Sequence, residues 1–420
     1  MIENFYLARQ AILDNNESIM GYELLYRSGD SQSSIDNPRH ATASVLVNVL
    51  NQAGLKNIVG DKRAFINVED SFLKHDFIES IPPNTFIFEL TATGMIDDRT
   101  VESVQNLHAK GYKFSLDLDS YTKIGILKKL APYLICIKID SSSFEVELLE
   151  GFIKEFLNEY RNKKFSFIAA KVEDKKTYKI YKKAGFDAYQ GYYFAQPDII
   201  KDKKLDGNHL TIFHLCNTIQ MGASITEIVE NFEKSPSVML QLLQFINSGA
   251  FHFRSRISSI HQVITLLGRN VLVQWLMLLL YSKNFSNEKN FQNPLIIMVK
   301  QRTEIMVNLL KVINKSSTSK EQSQAYFVGI LSLVDTLMHV PLSDVLNEFN
   351  VDTPIQDALF EKSGVLGELY SVALAIENFD TEFIDDFLYK HGIEAKDFEE
   401  MMLSVFHSAI DLERCVDSAS

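Results

Sequence analysis

Apolar residues follow two rhythms along the chain. Over the first two hundred residues they gather in short β-rich runs: Phe65–Val68, Thr85–Leu90, Lys113–Leu118, Ile135–Ile139 and Phe165–Ala169. Helical stretches such as Thr100–Lys110 and Phe144–Tyr160 lie between them. This alternation predicts βαβ units and a parallel sheet. The number of runs fits a closed β/α barrel better than a small open sheet. Asn67, Glu89, Asp117 and Lys138 each stand near the end of one run. In a barrel those ends converge on one mouth, which makes the four polar residues candidates for a shared pocket.

The texture changes at Lys201–Asn208, KDKKLDGN, a charged, glycine-containing stretch that reads as a linker. Beyond it helical periodicity takes over in Ile225–Phe232, Met239–Ile246, Ile260–Leu267, Val271–Tyr281, Leu295–Ile313 and Tyr326–Leu337. Loops at Lys315–Ser319 and Pro341–Leu342 punctuate it. The expected division is a β/α barrel over 1–204 and an all-helical domain over 205–420. Val271–Tyr281, VLVQWLMLLLY, is apolar on more than one face and holds the single tryptophan, Trp275. Such a helix must be buried. At this length, and interrupted by Gln274, it is too short for a bilayer, which needs roughly 20 residues.

Composition narrows the function. A net charge of -12 over 420 residues argues against a nucleic-acid partner, because phosphate binding needs clustered Lys and Arg. Cys136, Cys216 and Cys415 lie far apart, in no CxxC or zinc spacing, and read as reduced thiols. The opening MIENFYLARQ has neither the basic nor the apolar segment of a secretion signal, so a cytoplasmic location is expected.

Gly21–Arg27, GYELLYR, resembles the opening Glu-Ala-Leu-x-Arg motif of the EAL family of cyclic di-GMP phosphodiesterases, with Leu24 in place of alanine. The resemblance continues in order through Asn67 in FIN, Glu89 in FELT, Asp117 in FSLDLD, Lys138 and Asp140 in IKID, Glu173 in AAKVED, and Gln190–Pro197, QGYYFAQP. It implies a barrel of the TIM-like type. It places Glu23, Asn67, Glu89 and Asp117 at metal-ligand positions, and Glu23, Leu25, Arg27, Lys138, Gln190 and Pro197 at nucleotide-binding positions. In that role Arg27 is a fork donor to phosphate, and Gln190 with Tyr192–Pro197 lines a base pocket.

The departures matter as much. Two-metal hydrolysis needs a full set of carboxylates. The family's second aspartate is Leu118 here, its catalytic glutamate is Ala170, and the following glycine is Lys171. The glycine-containing loop is replaced by Asp119–Thr122, and a further glutamate by Ala92. The resemblance therefore implies a degenerate site with no catalytic residues, no required cofactor, and at most weak Mg²⁺ or Mn²⁺ binding. Asp119, two residues beyond Asp117, faces the same way along a strand and is the candidate substitute ligand. Each survivor also has a plain alternative. Glu23 and Arg27 could pair on a helix, Asn67 could cap one, and Lys138 could be a solvated strand-end charge.

The second half resembles the HDOD family, a helical domain related to metal-dependent HD phosphohydrolases. The carrying residues are Leu240–Gly249, LQLLQFINSG; Ile257–Arg269, ISSIHQVITLLGR; and Ala325–Leu331, AYFVGIL. The His-Asp pair of the hydrolases is replaced by Ser332 and Leu333, and His252, His261 and His339 have no paired spacing. The whole then reads as a signalling protein that acts by binding. Its expected partners are cyclic di-GMP, a regulatory protein controlling motility or biofilm behaviour, or a second copy of itself. Two rival readings are an active or weakly active Mg²⁺/Mn²⁺-dependent phosphodiesterase and a scaffold that binds no nucleotide.

Overall fold

The computed structural model describes residues 5–28, 54–68, 70–73, 78–79, 81–91, 97–120, 124–140, 142–144, 146–161, 163–195, 207–220, 222–236, 238–239, 242, 259–265, 268–269, 272–273, 276, 294–338, 341–348 and 351–419. Two compact units emerge. One comprises Met1–Gln196 with Phe379–Phe406, the other Pro197–Asn378 with His407–Ser420. The first unit thus takes back a late segment of chain that a single cut at 204/205 does not assign to it.

The first unit is a closed eight-stranded barrel in sequential order, β1 Phe5–Asp14, β2 Ile19–Ser28, β3 Arg63–Val68, β4 Ile87–Thr91, β5 Lys113–Leu118, β6 Leu134–Asp140, β7 Ser166–Ala170 and β8 Ala188–Gln190. The five runs read from sequence are β3 to β7. From β2 onward neighbours pair in parallel. β1 runs antiparallel to both β2 and β8. A short turn forces this, since strands joined by a few residues can only be antiparallel. Asp14 closes the turn through Oδ1, which accepts from Asn16 N at 2.8 Å and Ser18 N at 2.9 Å.

Alternation along the strands builds the lumen in layers. Ile12, Phe65, Ile87, Cys136, Ile168 and Ala188 form an apolar plug. One step of two residues toward the mouth brings Gln10, Asn67, Glu89, Lys138, Ala170 and Gln190, with Asp117 above Ser115 in β5. The six plug residues are all at most 4% exposed, so the polar layer rests on an apolar floor. On the outer face the Phe88 ring lies 6.0 Å from Tyr112 and 6.1 Å from Phe114 between ring centres. Helices start where the sequence supplies caps: Asp97 accepts from Thr100 N and Asp174 from Thr177 N, each at 2.8 Å. Arg9 in β1 lies over the Tyr22 ring at 4.2 Å, donates to the Ile58 carbonyl, and reaches the Phe406 ring of the returning segment at 5.1 Å.

The second unit is helical wherever it is described. The expected loop at Lys315–Ser319 ends in a capping box, in which Thr318 and Glu321 satisfy each other's backbone N–H groups and start the helix Ser319–Leu331. That helix crosses Pro294–Ile313 closely, because Gly329 has no side chain. A Cβ there would stand 2.7 Å from Thr303 Cα. Arg302 is buried at the same crossing. It forks onto Glu377 (Nε to Oε1 2.8 Å, Nη2 to Oε2 2.7 Å), and Nη1 donates to Ser332 Oγ at 2.7 Å. Leu272, Val273 and Leu276, the described residues of the apolar Val271–Tyr281 segment, are buried. Trp275, the NSG element, His252 and His339 lie outside the described residues. Among the described residues no helix is long and apolar enough to cross a membrane.

Candidate functional site at the barrel mouth

The polar lumen layer centres on Lys138, which is 4% exposed. Its Nζ donates to Glu23 Oε2 at 2.6 Å and lies 2.8 Å from Glu89 Oε1. Glu23 is also held by Asn67 Nδ2 at 2.7 Å and by Gln190 Nε2, whose second proton goes to Gln10 Oε1 at 2.7 Å. One cation and three amides thus organise two buried carboxyls. Glu23 lies in a strand, so the helical pairing with Arg27 does not arise. Asn67 donates to Glu23 and Lys138 is buried and ion-paired, so neither the capping nor the solvated-charge alternative describes them. Leu25 is half-buried in β2. The Arg27 side chain and Pro197 lie outside the described residues.

The electrostatics are unequal. Burial would raise the Glu23 carboxyl, but the Lys138 charge and the hydrogen bonds from Gln190, Lys138 and Asn67 outweigh it and hold it below the ordinary value. Burial dominates at Glu89 and, with Glu23 and Asp117 nearby, pushes it up to about 8 despite Lys138. Burial likewise raises Asp117. Lys138 is pushed upward, because Glu23 and Glu89 overcome its own desolvation. The layer therefore favours the ionised form of Glu23 against Lys138 and makes Glu89 the more readily protonated of the two carboxyls.

This sets a pH dependence. A carboxyl whose folded value lies above its unfolded one binds more protons when native, so stability falls as pH rises between the two values. For Glu89 that window runs from its ordinary 4.5 to about 8. Thermal unfolding of the wild type is expected to lose stability across it, with a slope approaching ~1 kcal/mol per pH unit. Glu89→Gln should flatten that part of the profile. Parallel profiles for the two proteins would show that Glu89 does not titrate there.

Chemically, Glu23, Asn67, Glu89 and Asp117 form an oxygen-only donor set of the kind Mg²⁺ or Mn²⁺ takes. Asn67 Oδ1 and Glu89 Oε2 are buried without a hydrogen bond, which suits a cation. An ion there would have to compete with Lys138 for Glu23 and Glu89. Among the described residues no three His, Cys, Asp or Glu side chains are grouped as a ready metal set.

The replaced positions differ in their placement. Ala170 ends β7 in the lumen, in register with Asp140, and offers no polar atom toward the mouth. Leu118 is fully buried and continues the outward set Phe114 and Leu116. Asp119, one residue past the strand, is exposed. Ala92, Tyr121 and Thr122 lie outside the described residues. Lys171 has φ +57° and pairs with Asp140 Oδ2 at 2.7 Å. Beside it Gly191 is obligatory, since its φ is +144° and a Cβ would fall 2.0 Å from the Val172 carbonyl oxygen. Tyr193, read as part of the base-pocket segment, is instead buried and stacked on Tyr178 at 4.4 Å. Gln10 and Ser115 were not among the candidates. The alternation in Ala8–Asp14, ARQAILD, was the signal available for Gln10.

A closed barrel with one antiparallel strand and acidic and amide residues at its mouth, in a chain that also holds a helical unit, defines the class. Residues 3–197 match the EAL domain and residues 209–347 the HDOD domain. The chain is an EAL–HDOD protein. It is similar to the "Uncharacterized protein YuxH" of Bacillus subtilis (strain 168), with 27% identity over 384 residues, covering 90% of this chain and 92% of that one. It is also similar to "Cyclic di-GMP phosphodiesterase CdgJ" of Vibrio cholerae serotype O1 (strain ATCC 39315 / El Tor Inaba N16961), with 23% identity over 414 residues, covering 98% and 94%. Among solved structures it aligns with the cGMP-bound form of the EAL enzyme Bd1971 at 20% identity and a TM-score of 0.34, spanning 45% of this chain and 61% of that one.

Proposed function

We propose that this protein works in cyclic di-GMP signalling by binding the nucleotide at the barrel mouth with little or no hydrolysis, and that the HDOD half passes the state of that site to a protein partner in the cytoplasm. The observation that carries this reading is Ala170 in the lumen, followed by Lys171 ion-paired to Asp140, at the strand end where two-metal chemistry would need a carboxylate. Leu118 offers no ligand either. What remains is a recognition surface. Gln190 carries an unpartnered amide oxygen at the mouth, and Arg27 would take the phosphate. Mg²⁺ or Mn²⁺, if taken up by Glu23, Asn67, Glu89 and Asp117, would supply charge neutralisation for a bound phosphodiester.

A second reading rests on Asp119, which is exposed at the end of β5 and close enough for its charge to raise Asp117. It could serve as a substitute ligand for slow metal-dependent hydrolysis, and the relative from Vibrio cholerae is named a phosphodiesterase. One experiment separates these readings from a nucleotide-independent scaffold. The full chain is incubated with cyclic di-GMP and Mg²⁺ or Mn²⁺, and both binding and linear product are measured. Binding with product forming far below about 1 per second is expected. Turnover at or above that rate would overturn the binding-only reading, and absence of both signals would favour the scaffold. Pull-down and light scattering of the full chain, with and without nucleotide, address the regulatory partner and self-association.

A further inference from the structure

Lys171 stands where the resemblance expects glycine, and its backbone keeps the glycine-like conformation at φ +57°. A non-glycine residue costs about 1 kcal/mol there. The residue that follows is held at both its N–H and its carbonyl, since Val172 N donates to Gln190 O at 2.9 Å and Tyr193 N to Val172 O at 3.1 Å. The side chain is aimed rather than loose. Its Nζ meets Asp140 Oδ2 at 2.7 Å, while Asp140 Oδ1 is held by Ser142 N at 2.9 Å and Ser142 Oγ at 2.6 Å. Asp117 and Asp119 also act on the Lys171 charge. Three carboxylates at this mouth oppose the approach of a phosphodiester unless a cation offsets them. Lys138 is committed below, to Glu23 and Glu89. Lys171 is 65% exposed and can turn toward a ligand. Gln190 Oε1, buried and without a hydrogen bond, is an acceptor open to a donor on a nucleotide base rather than to its phosphate.

We infer that Lys171 is a tethered cation that supplies, at the end of β7, the charge a second divalent ion would bring, so that this mouth holds a phosphodiester without one. The inference rests on the nucleotide-binding reading above and adds to it the residue that makes binding independent of metal. Asp140 is the positioning residue. It parks the ammonium beside the mouth and shares it when the ligand's phosphate arrives.

The test is calorimetric titration of the full chain with cyclic di-GMP, first in EDTA and then with Mg²⁺ or Mn²⁺, for the wild type, Lys171→Gly and Lys171→Arg. Glycine suits the left-handed backbone, so folding is not at risk. The wild type should bind in EDTA, Lys171→Gly should bind about tenfold or more weakly there, and Lys171→Arg should retain most of the affinity. Equal affinity of wild type and Lys171→Gly in EDTA would overturn the inference. Wild-type binding that appears only with divalent cation would also overturn it, while leaving the nucleotide-binding reading intact. No binding under either condition would remove that reading and this inference together.

Discussion

Replacing Arg302 with methionine should cost about 3–5 kcal/mol of stability, the range for breaking a buried ion pair from one side. Arg302 is 2% exposed in the helical unit and makes three hydrogen bonds, two to Glu377 and one to Ser332. Methionine fills much of the same volume but leaves the Glu377 carboxylate without its cation. Burial raises Asp335, and the Arg302 charge opposes that rise, so Asp335 would also lose a compensating charge. Arg302→Lys should recover little, because one ammonium cannot reproduce the planar fork. The double replacement Arg302→Met with Glu377→Met should recover much of the loss, since removing both charges removes the stranded one. Chemical denaturation of the four proteins decides the matter. A single-variant loss below about 1 kcal/mol would mean that the pair is solvated in practice.

Lys138→Met should be comparably damaging at high pH, about 3–5 kcal/mol, and the damage should shrink as pH falls. In the wild type the Glu23 carboxyl sits below its ordinary value, although burial pushes the other way, because Lys138, Gln190 and Asn67 favour the charged form. Its contribution is present above the unfolded value and is lost as pH falls through the folded one. Without Lys138 the burial effect is opposed only by the two amides. The Glu23 value should then rise, and its contribution should change sign, with stability lost as pH increases. Glu89, already high, should rise further. Melting temperatures from pH 5 to 9 in EDTA, for wild type and Lys138→Met, should therefore diverge upward in pH. A constant offset across the range would sink this account of the layer.

The interior strands were legible because β3 to β7 are short apolar runs covered by helices, and buried parallel strands write themselves that way. β1, β2 and β8 were not in that set. β1 and β2 carry charged and amide residues inside them, Arg9, Gln10 and Glu23, and β8 spans only Ala188–Gln190. Glu23 was found through its motif rather than its strand. The site residues were legible as an ordered set, since each of Asn67, Glu89, Asp117 and Lys138 terminates an apolar run. Their mutual arrangement was not. Nothing in linear order says that Lys138 bridges Glu23 and Glu89, because the three lie on strands β6, β2 and β4 and meet only when the sheet closes. The pairing of Lys171 with Asp140 was equally hidden. A lysine in place of glycine reads as a lost function until its partner across the β6–β7 ladder is seen.

The return of Phe379–Phe406 to the first unit bears on how the protein is made. Chains emerge from the ribosome in order, and units usually fold as they appear. Here the eight strands are complete by Gln190, yet the unit they belong to waits for a segment that begins at Phe379. All the intervening residues must be synthesised first. At the usual elongation rate of roughly 5–20 residues per second, the barrel spends on the order of ten seconds or more without its last pieces. During that interval the surface destined for Phe379–Phe406 is open to other chains and to chaperones. A truncation that stops near the end of the barrel makes this transient condition permanent, so a shortened barrel is a poor stand-in for the barrel in the whole chain.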